Sequence, residues 1–378
     1  MRRAQLGLFV VVALLAALAA PVHASNAGAP QIDAASWYLV GEDGAVLARH
    51  DAARPHAIAS ITKLMTAIVV LEHAKLGDVV RVDSRAARIG ESTVYLRAGE
   101  ELTVAELLRA TLVPSANDAA DALALYVGRG SADRFVGLMN EKARQLGLTD
   151  THFENPHGLD QPGHASSARD VTVLIRYALG VPFIRDALQR ESVSLPGGRT
   201  FPTTDDLLGE WDPLVGGKTG HTQDAGWSET AAATRAGATV YGAVLGSDGR
   251  GARNDALREL LSYGLSRYAR IQVVDAARVY AEAETGYGQP AVELVAPRGL
   301  VRVVRVGTPL LERVVAPTAL ALPVAKGQRL GRLEVYEGNR LLASSDLVAA
   351  ESVADAGLFT KTRWYATQTA RKLWEMLT

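Results

Sequence analysis

The chain has 378 residues, which is enough for two domains that each bury a hydrophobic core. Its hydrophobic content of 48% and charged content of 21% are typical of globular proteins, and a formal net charge of −1 argues against nucleic acid as a partner. The sequence contains no cysteine, which excludes disulfide bonds, thiol catalysis and metal sites built on cysteine.

The N-terminal segment has the pattern of a signal peptide. Arg2 and Arg3 precede an apolar run over residues 6–20, which is followed by a small-x-Ala cleavage site, Val22-His23-Ala24. A transmembrane anchor is the alternative, but it would need about 20 apolar residues and this run is shorter. We therefore predict that residues 1–24 are removed and that the protein is exported.

Residues 25–270 are predicted to form one domain of mixed helix and strand. In chain order, its predicted elements are a hairpin (36–40 and 45–49), a buried helix (57–71), a helix stopped by a proline (102–113), a helix after residue 117, three strands (214–220, 227–234, 238–246) and a closing helix (254–269).

After residue 271 the sequence pattern changes. Short β-branched runs alternate with Gly and Pro, and Gly338-Asn339 is a favourable hairpin turn. Residues 271–350 are therefore predicted to form a small all-β domain.

Residues 351–378 are predicted to contain an amphipathic helix. At a period of 3.6 residues, one face of 358–377 collects apolar and small side chains, while Lys361, Arg371 and Lys372 fall opposite; Trp364 breaks the pattern. A basic, aromatic-bearing helix at a chain end is typical of segments that lie on an anionic membrane surface, and a terminal helix docked on its own protein is the alternative.

Three short motifs in fixed order carry the chemistry: Ser60-Ile61-Thr62-Lys63, Ser115-Ala116-Asn117 and Lys218-Thr219-Gly220. Each motif alone is weak, because Ser-x-x-Lys is frequent by chance and Ser and Asn commonly cap helices. Together they supply a nucleophile, a base, a proton relay and an electrostatic anchor, which is what acyl transfer through a serine ester requires.

The Ser60 hydroxyl needs a base within hydrogen-bond reach, and Lys63 lies on the same face of the predicted buried helix. Lys63 can act as that base only when it is neutral, and both burial and the nearby cation Lys218 would lower its pKa. A capping serine beside a solvated lysine is the alternative, but the flanking residues are apolar on every side.

The other two motifs are expected to contact the substrate. Ser115 is a candidate proton relay to the leaving group and Asn117 a candidate donor to the substrate backbone. Lys218-Thr219-Gly220 ends an apolar strand along which an extended peptide could add as a further strand.

These motifs resemble those of the low-molecular-weight penicillin-binding proteins, the serine-type D-alanyl-D-alanine carboxypeptidases. The similarity extends through the middle of the chain (Phe135-Val136-Gly137-Leu138-Met139-Asn140, His157-Gly158-Leu159-Asp160, Ser167-Ala168-Arg169-Asp170) and past the third motif (His221-Thr222, Ala225-Gly226). It implies an α/β (α+β) penicillin-binding/β-lactamase-like catalytic domain, then a small all-β sandwich-like domain and a C-terminal amphipathic helix.

By this resemblance, the backbone N–H groups of Ser60 and His221 form the oxyanion hole and Arg253 binds the terminal carboxylate, for which Arg250 is a competing candidate. The family's approach to Leu207-Leu208 carries asparagine, whereas this chain has Asp205 and Asp206, which leaves substrate preference near that loop open. The same resemblance makes His157 a structural residue.

The resemblance implies a hydrolase of peptidoglycan biosynthesis that removes the terminal D-alanine from stem pentapeptides. It further implies covalent inhibition by β-lactam antibiotics, no cofactor and no metal, and a peripheral location on the periplasmic face of the inner membrane. Cleavage of cross-links (endopeptidase activity), a class A-like β-lactamase and a non-catalytic wall-binding module remain alternatives. The sequence argues against the β-lactamase alternative, because the Glu-x-x-Leu-Asn motif of class A enzymes is absent between residues 117 and 218.

Overall fold

The structure is a computed structural model that describes residues 30–377. The predicted signal peptide, residues 1–24, lies outside this range. The described residues divide into two compact units, one that ends at Arg267 and one that begins at Tyr268.

The first unit combines a five-stranded sheet with two groups of helices. Its elements are β1 (Ser36–Gly41), β2 (Val46–His50), a 3-10 turn (Ala59–Thr62), α1 (Lys63–His73), β3 (Val79–Arg81), β4 (Glu101–Thr103), α2 (Val104–Leu112), α3 (Asn117–Val127), α4 (Ala132–Gln145), α5 (Ala168–Gly180), α6 (Pro182–Leu188), β5 (Ser192–Leu195), β6 (Arg199–Pro202), β7 (Leu214–Thr222), β8 (Gly226–Arg235), β9 (Ala238–Ser247) and α7 (Arg250–Ser266).

The main sheet is antiparallel, with strand order β2-β1-β9-β8-β7. Strand β7 therefore lies at one edge of this sheet. Helix α1 is the centre of the helical core: all of its residues from Lys63 to Val70 are buried, because apolar and small side chains surround it on every side. The expected α/β class is confirmed.

The start of the predicted helix 57–71 was wrong. The chain first forms the 3-10 turn, with Ala59 at a φ of 46°, and the α-helix begins only at Lys63. A left-handed residue cannot continue an α-helix, so Ser60 lies in the turn that precedes the helix and not within it.

The second unit is built from β-strands. They are β10 (Tyr268–Val274), β11 (Val279–Thr285), β12 (Val292–Val295), β13 (Leu300–Arg305), β14 (Leu310–Val315), β15 (Ala319–Leu320), β16 (Arg329–Glu337) and β17 (Arg340–Ala349). Six strands pair in the order β14-β16-β17-β12-β11-β15, and β10 pairs with β13. The hairpin predicted at Gly338-Asn339 is confirmed, since Glu337 pairs directly with Arg340.

The chain ends in helix α8 (Leu358–Leu377). Its large apolar side chains are exposed: Leu358, Phe359, Tyr365, Leu373, Trp374 and Met376. Trp364, which did not fit the amphipathic pattern, packs edge-on against Tyr287 with ring centroids 5.6 Å apart. Its position on the polar side is therefore explained by a contact within the second unit. Among residues 30–377, every helix is too short or too polar to span a bilayer.

Candidate active site

Ser60 lies in a turn that is held from two sides. A Cβ placed on Gly158, which has a φ of 91°, would lie 1.9 Å from the Ala59 carbonyl oxygen. A Cβ on Gly220 would lie 2.6 Å from the Ile58 carbonyl oxygen and 3.3 Å from the Ser60 nitrogen. Only glycine allows backbone to approach this closely, so both positions bring chain segments distant in sequence directly against the nucleophile turn.

Lys63 is fully buried and makes three polar contacts. Its Nζ donates to Asn117 Oδ1 at 2.7 Å and to the His157 carbonyl oxygen at 2.8 Å, and it lies 2.6 Å from Ser60 Oγ. A neutral amine has two N–H groups and one lone pair. Two acceptors therefore use both N–H groups, and the lone pair is directed at the Ser60 hydroxyl, which is the geometry of a general base.

The surroundings of Lys63 favour this neutral form. Burial lowers the pKa of Lys63 well below its usual value, and the positive charge of Lys218 lowers it further, whereas Glu91 and Asp118 oppose the shift. Burial also lowers the pKa of Lys218 to about 8. The predicted influence of Lys218 on Lys63 is thus present in the structure.

Ser115 occupies a strained position between α2 and α3. Its φ of 64° is unusual for a residue with a side chain, and the backbone beside it is fixed by hydrogen bonds from Ala116 N to Ala110 O and from Asn117 N to Ser92 O. Its Oγ is buried and has no hydrogen-bond partner among the described residues. Such a hydroxyl is available to a group that enters the site.

Asn117 contacts the catalytic lysine as well as the loop before α2 and α3. Its Oδ1 accepts from Lys63 Nζ, and its Nδ2 donates to the Gly90 carbonyl oxygen at 3.0 Å. Because the lysine can only donate to oxygen, the orientation of the carboxamide is fixed. Asn117 therefore positions the base through Oδ1, and since Nδ2 carries two N–H groups, one of them remains for the predicted donation to the substrate backbone.

The third motif lies on β7, next to the nucleophile turn. Thr219 Oγ1 is 2.7 Å from Thr204 Oγ1, and Lys218 Nζ donates to the Thr219 carbonyl oxygen at 3.0 Å. The His221 ring packs on Trp227, with ring centroids 4.0 Å apart. An open edge strand beside the nucleophile is a suitable place for an extended peptide.

A cleft of about 180 Å³ joins these parts. It is lined by Ser60, Ser92, Ser115, Thr204, Thr219, Gly220, His221, Trp227, Arg250 and Arg253. Six predicted site residues are in this lining, whereas Lys63, Asn117 and Lys218 lie buried behind it. The site therefore has one layer that can contact a ligand and one layer that sets charge and orientation.

Arg253 reaches the cleft, but it is already bound by acidic side chains. The residue is 2% exposed, its Nη2 donates to Asp206 Oδ2 at 3.0 Å, and its Nε lies 3.0 Å from Glu229 Oε2. Only Nη1 has no partner within residues 30–377. A bidentate contact with a ligand carboxylate through both terminal nitrogens of Arg253 is therefore not available without rearrangement.

The sequence did not reveal the partners of Arg253. Asp206 was recognised as unusual, but its pairing with Arg250 and Arg253 was not. Glu229 was missed entirely, although a glutamate within the small-residue strand 228–233 was a visible signal. His157 contributes its carbonyl oxygen to Lys63, while burial lowers the pKa of its ring to about 3. A neutral ring at physiological pH fits its predicted structural role.

Comparison with known proteins agrees with this geometry. A family model described as D-alanyl-D-alanine carboxypeptidase matches residues 23–249. The chain is 31% identical to D-alanyl-D-alanine carboxypeptidase DacD of Salmonella typhimurium, over 94% of this chain and 96% of that protein. It is 33% identical to D-alanyl-D-alanine carboxypeptidase DacC of Escherichia coli, over 88% of this chain and 87% of that protein.

Solved structures are similar over the same length. Penicillin binding protein 5 from Haemophilus influenzae aligns with a TM-score of 0.63 at 28% identity, and covers 87% of this chain and 99% of its own. Penicillin binding protein 6B from Escherichia coli aligns with a TM-score of 0.63 at 29% identity, and covers 85% of this chain and 97% of its own.

Proposed function

Because the chain belongs to the D-alanyl-D-alanine carboxypeptidase family and is a serine peptidase of that type, we propose that its Ser60 cleft removes the terminal D-alanine from peptidoglycan stem pentapeptides. The observation that carries this proposal is the contact of 2.6 Å between Ser60 Oγ and the buried Nζ of Lys63, at the wall of a cleft that is open to a peptide.

Acylation begins with proton transfer from Ser60 to neutral Lys63. Ser60 Oγ attacks the carbonyl carbon of the penultimate D-alanine, and the backbone N–H groups of Ser60 and His221 stabilise the oxyanion. The bond to the leaving nitrogen then breaks, and Ser115 Oγ relays to this nitrogen the proton that Lys63 took from Ser60, which leaves Lys63 neutral and Ser115 protonated. The products are a seryl ester and free D-alanine.

Deacylation reverses the chemistry with water as the nucleophile. Lys63 accepts a proton from the water, which attacks the ester carbonyl and releases Ser60 with its proton restored. Asn117 holds Lys63 in place through both half-reactions, since its Oδ1 binds Nζ.

Recognition of the terminal carboxylate falls to one side of the cleft. Thr219 offers a hydroxyl, supported by Thr204, and Arg253 offers Nη1. Lys218 adds a positive charge behind them. A free α-carboxylate is the group that distinguishes the end of a stem peptide from an internal bond, so this side of the cleft selects for carboxypeptidase action.

The same cleft accounts for β-lactams as covalent ligands. Their strained amide resembles the scissile bond and would acylate Ser60 in the same way. Residues 25–270 would carry this chemistry, and residues 271–350 would form a separate β domain.

The C-terminal segment 351–378 provides a surface for membrane association. Leu358, Phe359 and Met376 are exposed apolar side chains on α8, next to basic residues. Insertion of such a face into an anionic leaflet places the enzyme peripherally at a membrane, and export through the predicted signal peptide places it on the periplasmic face.

The test is incubation of the mature protein with purified pentapeptide and with cross-linked dimers, and resolution of the products by mass. We expect release of D-alanine from the pentapeptide and loss of that activity in Ser60→Ala. Cleavage of the dimers instead would establish endopeptidase action. Rapid hydrolysis of penicillin would establish a β-lactamase, and penicillin labelling without peptide turnover would establish a binding module.

A further inference from the structure

Two buried carboxyl groups face each other behind the third motif. Glu229, on β8, is completely buried, and Asp205 is buried in the loop that precedes β7. A Cβ placed on Gly217 would lie 3.1 Å from Asp205 Oδ2 and 3.1 Å from Glu229 Oε1. Gly217 therefore leaves the space in which the two carboxyl groups meet.

Three of the four carboxyl oxygens of this pair lack a hydrogen-bond donor, whereas Asp205 Oδ1 accepts from Leu207 N at 3.0 Å. Asp205 Oδ2 and both carboxylate oxygens of Glu229 are buried and have no hydrogen-bond partner among the described residues. Arg253 Nε is close to Glu229, but it donates to Asn254 Oδ1 at 3.1 Å. Glu229 Oε2 is thus in ion-pair distance of Arg253 without a hydrogen bond, and Glu229 Oε1 and Asp205 Oδ2 have neither. Buried acceptors without a donor are costly, and a proton carried by Glu229 and donated to Asp205 would supply one.

The charges around the pair decide what that proton does. The pair faces Lys218 from β7 and Arg253 from α7, and Asp206 neutralises the outer part of the site together with Arg250. If both carboxyl groups were ionised, the Glu229 carboxylate would cancel the charge of Arg253, because it lies 3.0 Å from Arg253 Nε. With one proton on Glu229, Arg253 keeps positive charge that a ligand can use.

We propose that Glu229 is a positioning residue for carboxylate recognition, which holds a proton shared with Asp205 and thereby keeps the charge of Arg253 available to the substrate's terminal carboxylate. This inference rests on the proposed function, because it assigns Arg253 to that carboxylate. Glu229 itself is beneath the cleft and contacts no substrate.

The electrostatic environment supports the shared proton. Burial raises the pKa of Glu229 well above its usual value, and the charge of Asp205 raises it further. Burial also raises the pKa of Asp205. Asp206 is different, since the guanidinium of Arg250 lowers its pKa. Two carboxyl groups that contact the same arginine are thus expected in opposite protonation states.

The first experiment measures the melting temperature against pH for the wild type, Glu229→Gln and the matched variant Asp206→Asn. A carboxyl group whose pKa is raised on folding stabilises the protein below its unfolded pKa, and this stability is lost as pH rises toward the folded pKa. The melting temperature of Glu229→Gln should therefore rise relative to the wild type by about 3 °C per pH unit as the pH increases above the usual range of a glutamate.

Asp206→Asn should behave differently. A carboxylate whose pKa is lowered on folding contributes stability that is constant above its unfolded pKa. This variant should melt lower than the wild type by an amount that does not change across the same range. A Glu229→Gln variant that loses stability by a constant amount would show that Glu229 is an ionised partner of Arg253, and would overturn the proposal.

The second experiment measures KM and kcat for the pentapeptide. Asp205→Asn removes the negative charge that adds to burial in keeping Glu229 protonated, so a larger fraction of Glu229 should ionise beside Arg253 and KM should rise, by up to about tenfold at neutral pH. Adding Glu229→Gln to Asp205→Asn should restore KM, with kcat changing less than KM. Absence of rescue would contradict the proposal. The pH dependence of melting needs no turnover, so it separates failure of this inference from failure of the proposed function.

Discussion

Gly220→Ala tests whether the close approach of β7 to the nucleophile turn controls acylation. The new Cβ would lie 2.6 Å from the Ile58 carbonyl oxygen and 3.2 Å from Ala59 Cβ. A carbon and a carbonyl oxygen normally stay about 3.3 Å apart, so the strand and the turn must separate by about 0.7 Å. That separation would move the oxyanion-hole nitrogens of Ser60 and His221 away from each other.

The expected cost can be set from this displacement. Misplacement of reacting groups by about 1 Å can lower a rate about 100-fold, and overpacking costs about 1–3 kcal/mol of stability. Acylation by a fluorescent penicillin, followed over time, should therefore slow by about 100-fold, while the melting temperature falls by several degrees. Gly251→Ala is the matched control, because a Cβ there has open space around it. An unchanged acylation rate in Gly220→Ala would refute this reasoning, whatever its stability.

Three further predictions concern the base, the carboxylate site and the terminal helix. Lys63→Arg should fold, but its acylation rate should fall about 1000-fold, because a guanidinium cannot release its proton. The wild-type acylation rate should rise with pH as Lys63 becomes neutral, at a pH below the usual range of a lysine pKa. A rate that does not change with pH would exclude Lys63 as the base. Arg253→Ala should reduce pentapeptide turnover far more than acylation by a strained β-lactam, and equal losses would assign carboxylate recognition to Lys218 and Thr219 alone. Deletion of the residues after Ala356 should release the protein from anionic vesicles in sedimentation without changing D-alanine release from soluble peptide; continued sedimentation would place the anchor elsewhere.

The three motifs, through the family that they resemble, were enough to predict the fold class and to expect one shared site. The first two motifs lie at the start of a helix and the third lies within β7, and hydrophobic periodicity identifies such elements well. Periodicity could not predict the backbone conformation at Ser60. The turn at Ala59 depends on Gly158 and Gly220, which are distant in sequence, and local periodicity carries no information about such contacts.

The charge network around Arg253 was hidden for a similar reason. Glu229 has no visible partner in the sequence, and its burial results from the packing of α7 against the sheet. The sequence did show that Asp206 was unusual, but its effect on Arg253 depends on a contact over 47 positions. Side chains whose role is to neutralise or orient others are found only when the fold brings them together.

The position of β7 at the edge of the sheet means that the fold is one strand short until a peptide arrives. No further strand of the described residues pairs with its outer N–H and C=O groups, so an extended peptide could form hydrogen bonds to them. A stem peptide that binds as we propose would add a strand to the sheet, and a longer extended stretch along β7 would form more main-chain hydrogen bonds. We therefore expect the residence time of a cell-wall fragment to depend on the length that pairs with β7, as well as on the chemistry at Ser60.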